Sequence, residues 1–536
     1  MQLRYTIIIY LSVSILIAQT QLGSDIDGEA SGDFYGSSVS MDYNGDRVAI
    51  GGYSNDGTGT DAGHVRVFSW NGSSWSQLGS DIDGEAAGDQ LGFSVSLDSD
   101  GDRLAVGGNQ NDANGSNTGH VRVFSWNGSS WSQLGSDIDG EAGSDLFGYS
   151  VSLDSDGDRV AIGGTRNDGT GTDAGHVRVY SWNGSSWSQL GSDIDGEASG
   201  DQLGSSVSLD SDGNRVAIGA RYNNGSTGHV RVYEYSSSSW SQLGSDIDGE
   251  ASNDNSGISV SLNSDGDKVA IGASNNDGTA SNAGHVRVYS YGGSSWSQLG
   301  SDIDGEAGGD QFGHSVSLDY DGDRLLVGAK NNGGTGGFGG HARIYHYLNN
   351  SWTQFGNDVD SEAAGDYFGF SVCLDSAGVM FVAGATHNDG TATNAGHARV
   401  YNVNGVNISG NAGFRMLSSP VSNSTYTDLL SELWTQGMTG SDAPEASGDN
   451  VWTWTIGSGG AGSWSVVSDL GNTMTLGVGI LVYTFADNNN DGTDDLPVML
   501  SVAGIEGSGN IRYPATGTFI ENGRYGFAGN PYYQTI

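Results

Sequence analysis

The phrase Gly-Ser-Asp-Ile-Asp-Gly-Glu-Ala begins at Gly23, Gly79, Gly135, Gly191, Gly244 and Gly300, and a degenerate copy begins at Gly356. Successive copies stand 56 residues apart, except that Gly191 and Gly244 are separated by 53. A period of this length, kept seven times, is the mark of a repeat architecture in which each copy is one small structural unit. The three missing residues fall in the polar stretch around Tyr222–Thr227, where their loss shortens a loop and no strand.

The second copy shows what one unit is. Phe93–Asp98 alternates apolar and polar residues and ends at Asp100-Gly101, a two-residue hairpin signal. Arg103–Gly108 returns, a polar loop Asn109–Gly119 follows, and His120–Trp126 and Ser130–Gly135 flank a second turn at Asn127-Gly128. The apolar runs are short, β-branched and bounded by Gly, Asn, Asp and Ser, so the class is all-β. A lone four-stranded sheet has two apolar faces and nothing to cover them. Seven such sheets packed face to face around an axis bury both faces and leave only short edges, which makes the expected fold a seven-bladed β-propeller.

The last copy lacks a Ser-Trp-Ser-Gln outer strand, and Thr20-Gln21-Leu22-Gly23 matches the tail of the missing piece. The N-terminal segment is therefore expected to dock on the seventh blade and close the ring, with Val406–Ile408 as the rival. The propeller is assigned to residues 19–406 and a β-rich domain, expected to be truncated, to 407–536. In that domain Phe414–Pro420, Val451–Ile456, Trp464–Val467, Gly479–Phe485 and Pro497–Ala503 read as strands and Tyr426–Gln436 as a short helix.

Residues 1–18 carry Arg4 and then an apolar run, Ile7–Ile17, too short to span a bilayer; they read as a secretory signal cleaved near Ala18 or Thr20. A secreted or cell-surface location follows. Cys373 is the single cysteine, so no intrachain disulfide forms. The formal net charge is −44. A surface this acidic repels nucleic acid and anionic membrane, which excludes the first as a partner and membrane insertion as a mode.

Phe147-Gly148, Phe312-Gly313 and Phe368-Gly369 at the start of a unit, with Gly-Ala at 219–220, 272–273, 328–329 and 384–385 further on, resemble the FG-GAP repeats of integrin α-subunit heads. The resemblance spans roughly residues 20–403 and implies an extracellular, adhesive propeller that binds calcium at the first hairpin of a blade. Here that hairpin is Asp98-x-Asp100-Gly101-Asp102, shorter than the family's loop, and it reads as a plain turn. Gly413–Pro420 and Gly529–Tyr532 resemble a β-domain of secreted bacterial proteins of the type IX pathway.

Two further acidic patterns suit calcium, which takes six to eight oxygens from a sharply bent segment. The blade-joining loop holds Asp81, Asp83, Glu85 and Asp89, with equivalents in the other copies. The C-terminal segment holds Asp487, Asn489, Asp491 and Asp495 at positions 1, 3, 5 and 9 of a loop bent at Gly492, with Val498 where an EF-hand has its bidentate Glu. The alternative for both is a turn whose acids pair with Arg or backbone amides. The loop Asn55-Asp56-Gly57 and its equivalents are expected on the same face of the ring as the blade-joining loops.

His64, His120, His176, His229, His285, His341 and His397 recur two residues before Arg66, Arg122, Arg178, Arg231, Arg287, Arg343 and Arg399. Each His is alone on its strand, so the expected role is structural: an interblade Arg–Asp pair with His as a hydrogen-bonded spacer. Pairs such as Trp70 with Trp75 read as cross-strand packing. No nucleophile motif, nucleotide loop or Cys/His cluster appears, and no enzyme is expected. The expected function is a binding or adhesion scaffold for an extracellular protein or a glycan, with a glycan-active enzyme, a lectin or a matrix protein as alternatives.

Overall fold

The computed structural model describes residues 17–334, 337–348 and 350–408, with side chains between 19 and 403, and beyond them only short strands. The chain divides into two compact units, Gln21–Asn402 and a second made of Met1–Thr20 with Val403–Ile536. The first unit is a seven-bladed β-propeller, all β apart from one helical turn at Asn223–Ser226.

In the second blade, Leu91–Leu97, Arg103–Gly108, His120–Trp126 and Trp131–Gln133 lie in that order as an antiparallel meander. The outer edge continues after a break as Ile138–Asp139, which pairs with the other end of His120–Trp126. The first strands of successive blades touch all the way round, the seventh meeting the first, so they line the axis. Apolar residues on both faces of the middle strands fill the joints between blades. Val106, Leu104, Val121 and Val123 are all essentially inaccessible to solvent.

The Phe-Gly or Leu-Gly step has a physical reason. Gly92 has φ +91°, and a Cβ on it would lie 2.4 Å from the carbonyl oxygen of His64 in the preceding blade. Gly107 meets Gly148 of the next blade in the same way, its Cβ position 2.2 Å from that carbonyl. Blades approach backbone to backbone, which only glycine allows.

Both serines of Ser-x-Ser on the inner strand tie blades together. Ser94 Oγ donates to Gly148 O, and Leu153 N–H donates to Ser96 Oγ, both at 2.9 Å. At the hairpin end of the axis the backbone closes a ring. Tyr43 N–H donates to Ser99 O, Ser99 to Ser155, Ser155 to Ser211, Ser211 to Ser264, Ser264 to Tyr320, Tyr320 to Ser376, and Ser376 back to Tyr43, at 3.0–3.2 Å. Each of the seven blades gives one amide and one carbonyl to this closed cycle.

The N-terminal segment closes the propeller. Ile26 pairs with Ala398 and Asp27 with His397, and Leu22 N–H donates to Val400 O. The rival segment Val406–Ile408 does not turn back; it prolongs the strand His397–Ile408. In the second unit Gly413–Ser418, Gly479–Thr484, Val451–Ile456 and Gly462–Val466 form an antiparallel sheet in that order. The expected leader up to residue 16, the expected helix Tyr426–Gln436, and Asp487, Asn489, Asp491 and Asp495 lie outside the described residues. No helix among the described residues is long and apolar enough to cross a membrane.

Candidate functional site at the axial mouth

The acids of the blade-joining loop part company in the fold. Asp81 accepts from Gln77 at 2.6 Å and packs against His64 and Glu29. The backbone carbonyl of Asp83 accepts from Arg122 at 3.1 Å. Glu85 belongs to a different cluster, with His120 and Asp137, and stands 3.8 Å from Arg122. Asp89 is buried and accepts the N–H groups of Glu85 and Ala86, capping its own turn. Burial pushes Asp83 above the usual carboxylate range, with Asp81 adding to the effect. The first-hairpin acid Asp98 likewise serves its own turn, accepting from Asp102 and Arg103.

The recurring Arg does bridge blades, but the expected Arg–Asp pairing needs correction. Arg66, Arg231, Arg287 and Arg399 donate across the joint to the carbonyls of Asp27, Asp195, Asp248 and Asp360. For Arg66, Arg231 and Arg287 the carboxylate faced is the loop glutamate, as in Arg231 to Glu197 at 3.5 Å. Among the described residues only Arg178 and Arg343 grip an Asp through two nitrogens, and Asp193 and Asp358, though they open the next copy of the repeat, lie on the arginine's own blade. The partner is displaced because Ile194–Asp195 pairs with the strand that carries Arg178, holding Asp193 on that blade. The histidines are buried 3.5–4.0 Å from the first loop Asp, packed against it and not hydrogen-bonded as spacers. Burial, helped by Arg66, pushes His64 down to about 4, which keeps it neutral.

The aromatic pairs pack across strands as expected, Trp126 against Trp131 at 5.5 Å. They also do something the sequence did not disclose. Trp131 Nε1 donates to Leu78 O of the preceding blade at 2.8 Å, and Trp75 does the same to Leu22.

Once these roles are assigned, three cations of the propeller remain. The seven strand arginines hold the joints. Arg47, Arg159, Arg215, Lys268 and Arg324 donate to hairpin carbonyls of the next blade, and Arg103 lies alongside Gly157 in the same position. Arg166, Arg221 and Lys330 are left. All three follow the Gly-Gly or Gly-Ala end of a second strand, where the chain emerges beside the axis. None has a carboxylate partner among the described residues.

The same level of the axis gathers the residues in which the copies differ. After the Phe-Gly step the inner strands carry Ser37, Phe93, Tyr149, Ser205, Ile258, His314 and Phe370. A belt of rings runs around the mouth: Tyr367–His387 at 4.6 Å, His387–Phe34 at 5.0 Å, Phe34–Tyr53 at 5.8 Å, Tyr53–Phe93 at 5.7 Å and Phe93–Tyr149 at 5.0 Å. Arg221 continues it, donating to Tyr149 Oη at 3.1 Å with its guanidinium 4.8 Å from the Tyr222 ring. On the other side Lys330 Nζ lies 5.1 Å over Phe370, which meets His314 at 5.1 Å. Phe34 and Tyr367 hold left-handed backbone, φ 50° and 58°, as do Gln90, Leu146, Gln202, Asn255 and Gln311 at the same place in the other copies, so the turn of the repeat sets their direction. Amide pairs complete the rim, Gln110 donating to Gln90 at 2.7 Å and Gln311 to Asn275 at 3.4 Å.

Desolvation pushes Lys330 down to about 8, with Arg221 adding repulsion. Burial also carries His314 well below its ordinary value, again with Lys330 and Arg221 opposing its charge. Arg221 Nε and His314 Nδ1 are buried with no hydrogen-bond partner. The mouth is therefore an aromatic cup whose cations pair with no carboxylate among the described residues. Sequence reasoning passed over it because the copies were read for what they share. The signal lay in the columns where they differ, and in Arg221 sitting next to the three-residue deletion.

Comparison with known proteins found no matching family model and no matching curated protein. Solved structures do resemble the chain. A Kuenenia stuttgartiensis hydrazine synthase is 14% identical with a TM-score of 0.43, covering 68% of this chain and 94% of its own. A putative 6-phosphogluconolactonase from Bacteroides uniformis is 10% identical with a TM-score of 0.44, covering 61% and 85%. At these values the likeness reaches no further than the fold. The expectation that the chain is not an enzyme is nevertheless withdrawn. At the axial mouth the copies differ in residues able to do chemistry, among them Tyr149, Arg221, His314 and Lys330.

Proposed function

We propose that the chain is an exported glycan-recognising propeller whose ligand enters the axial mouth on the loop face. The observation that carries this reading is the belt from Tyr367 to Tyr149, five ring contacts long and half-exposed toward the axis. Sugar rings present C–H faces that pack on aromatic faces, and phenols and amides such as Tyr149, Gln90 and Gln311 suit their hydroxyls. The likeness to FG-GAP repeats supports an extracellular setting. The blade-joining loops are proposed to take calcium between acids of successive loops, Glu29 with Asp81 and Glu85 with Asp137. Calorimetry with calcium on chelator-treated protein tests that part, and no heat would remove it.

A glycan array read with the wild type, Phe93→Ala and Tyr149→Ala tests the main reading. Binding to a defined glycan class that falls about tenfold or more in both variants, with unchanged melting, is expected from the loss of stacking. Binding that survives both substitutions would move the site elsewhere. Analysis of the bound glycan for new reducing ends reads turnover in the same experiment.

A further inference from the structure

Lysine and arginine are scarce in this chain, and the joints and hairpins of the propeller use thirteen of its sixteen. Of the three left over, Arg221 and Lys330 stand at the axial mouth, close enough to act on each other. Arg221 comes from the fourth blade and Lys330 from the sixth, and His314 lies between their influences on the sixth blade's inner strand. Two like charges drawn together away from water repel each other, and a fold tolerates this where a third party of opposite sign completes the set. No carboxylate among the described residues does so. The buried Arg221 Nε and His314 Nδ1 are also without hydrogen-bond partners, which leaves two positions at this mouth open to a ligand.

We infer that the axial mouth selects an anionic ligand, whose carboxylate or sulfate ester is received by Arg221 and Lys330 beside His314 while its sugar body stacks on the aromatic belt. The inference rests on the glycan reading above for the body of the ligand and on the cations for its charge. General electrostatic attraction does not account for such binding, because a net charge of −44 repels an anion everywhere else on the surface.

Calorimetry with paired probes tests it: oligogalacturonate against its methyl ester, heparin-derived oligosaccharide against its desulfated form, and sodium sulfate alone. The acidic member of at least one pair should bind about 30-fold or more tightly than its neutral partner, the loss expected when one member of a buried charge pair is removed. Arg221→Gln and Lys330→Gln should abolish that preference, and Lys330→Arg should retain it. Equal binding of acidic and neutral members, unchanged in Arg221→Gln, would overturn the charge inference and leave the glycan reading intact. Sulfate binding that is lost in Arg221→Gln, with no oligosaccharide bound, would uphold the anion site and refute the glycan body. No binding of any probe would overturn both.

Discussion

Ring closure rests on a joint made from chain ends, and one substitution measures whether that joint is as good as the others. Ile26 is 5% exposed and packs with Val382, Ala398 and Val400 of the seventh blade. Its equivalent Ile194, 4% exposed, packs with Val177 and Val179 within a continuous stretch of chain. The backbone of the two joints matches as well. Gly28 N–H donates to Gly396 O at 2.8 Å, and Gly196 N–H to Gly175 O at 2.8 Å. Truncating a buried Ile to Ala costs about 2–5 kcal/mol through lost transfer energy and the cavity left behind. For a unit of about 380 residues, unfolding entropy near ~2.1 cal/mol/K per residue turns about 3 kcal/mol into a fall in Tm of about 4 °C. Ile26→Ala and Ile194→Ala should therefore lower the calorimetric Tm by the same amount within error. A fall under about 1 °C for Ile26→Ala, beside a full effect for Ile194→Ala, would mean that the N-terminal segment does not hold the ring shut.

Other outcomes follow from the joints and the mouth. Arg178→Ala should destabilise by roughly 1–3 kcal/mol in urea titration, since it frees the half-buried Asp193 from a two-point grip; a loss under about half a kilocalorie would show that water replaces the arginine. Cys373 occupies the seventh position of the Ser ring, facing the Met41 N–H, and burial raises its thiol to about 11; Cys373→Ser should restore an oxygen acceptor and raise Tm by about 1 °C, and a lowered Tm would refute the equivalence. Lys330, which faces Arg221, His314 and His387, keeps its charge below about pH 8 and loses it above. Affinity for an acidic oligosaccharide should therefore fall as pH rises from 7 to 9 and hold steady in Lys330→Arg; an unchanged affinity in the wild type would take Lys330 out of the site.

The unit, its count and its strands were legible in the chain because they depend on local order. Alternation in Ser-Val-Ser-Leu-Asp, turn signals at Asp100-Gly101 and Asn127-Gly128, and a period near 56 residues give strands, hairpins and seven blades with no knowledge of what touches what. Even closure was legible, since a missing outer strand at one end and a matching tail at the other are complementary. Partner choice was not. Arg178 prefers its own blade's Asp193, while Arg231 takes a backbone carbonyl and a Glu, and both stand in the same motif. The packing at each joint decides between them, and periodicity carries no such information. The candidate site was hidden for a larger reason. Phe34, Phe93, Tyr149, Arg221, His314, Lys330 and Tyr367 are spread over more than 300 residues and share no spacing that marks them as a group. They meet because each sits at the same height on its blade and seven blades close around one axis, and that coincidence is a property of the ring and of no segment within it.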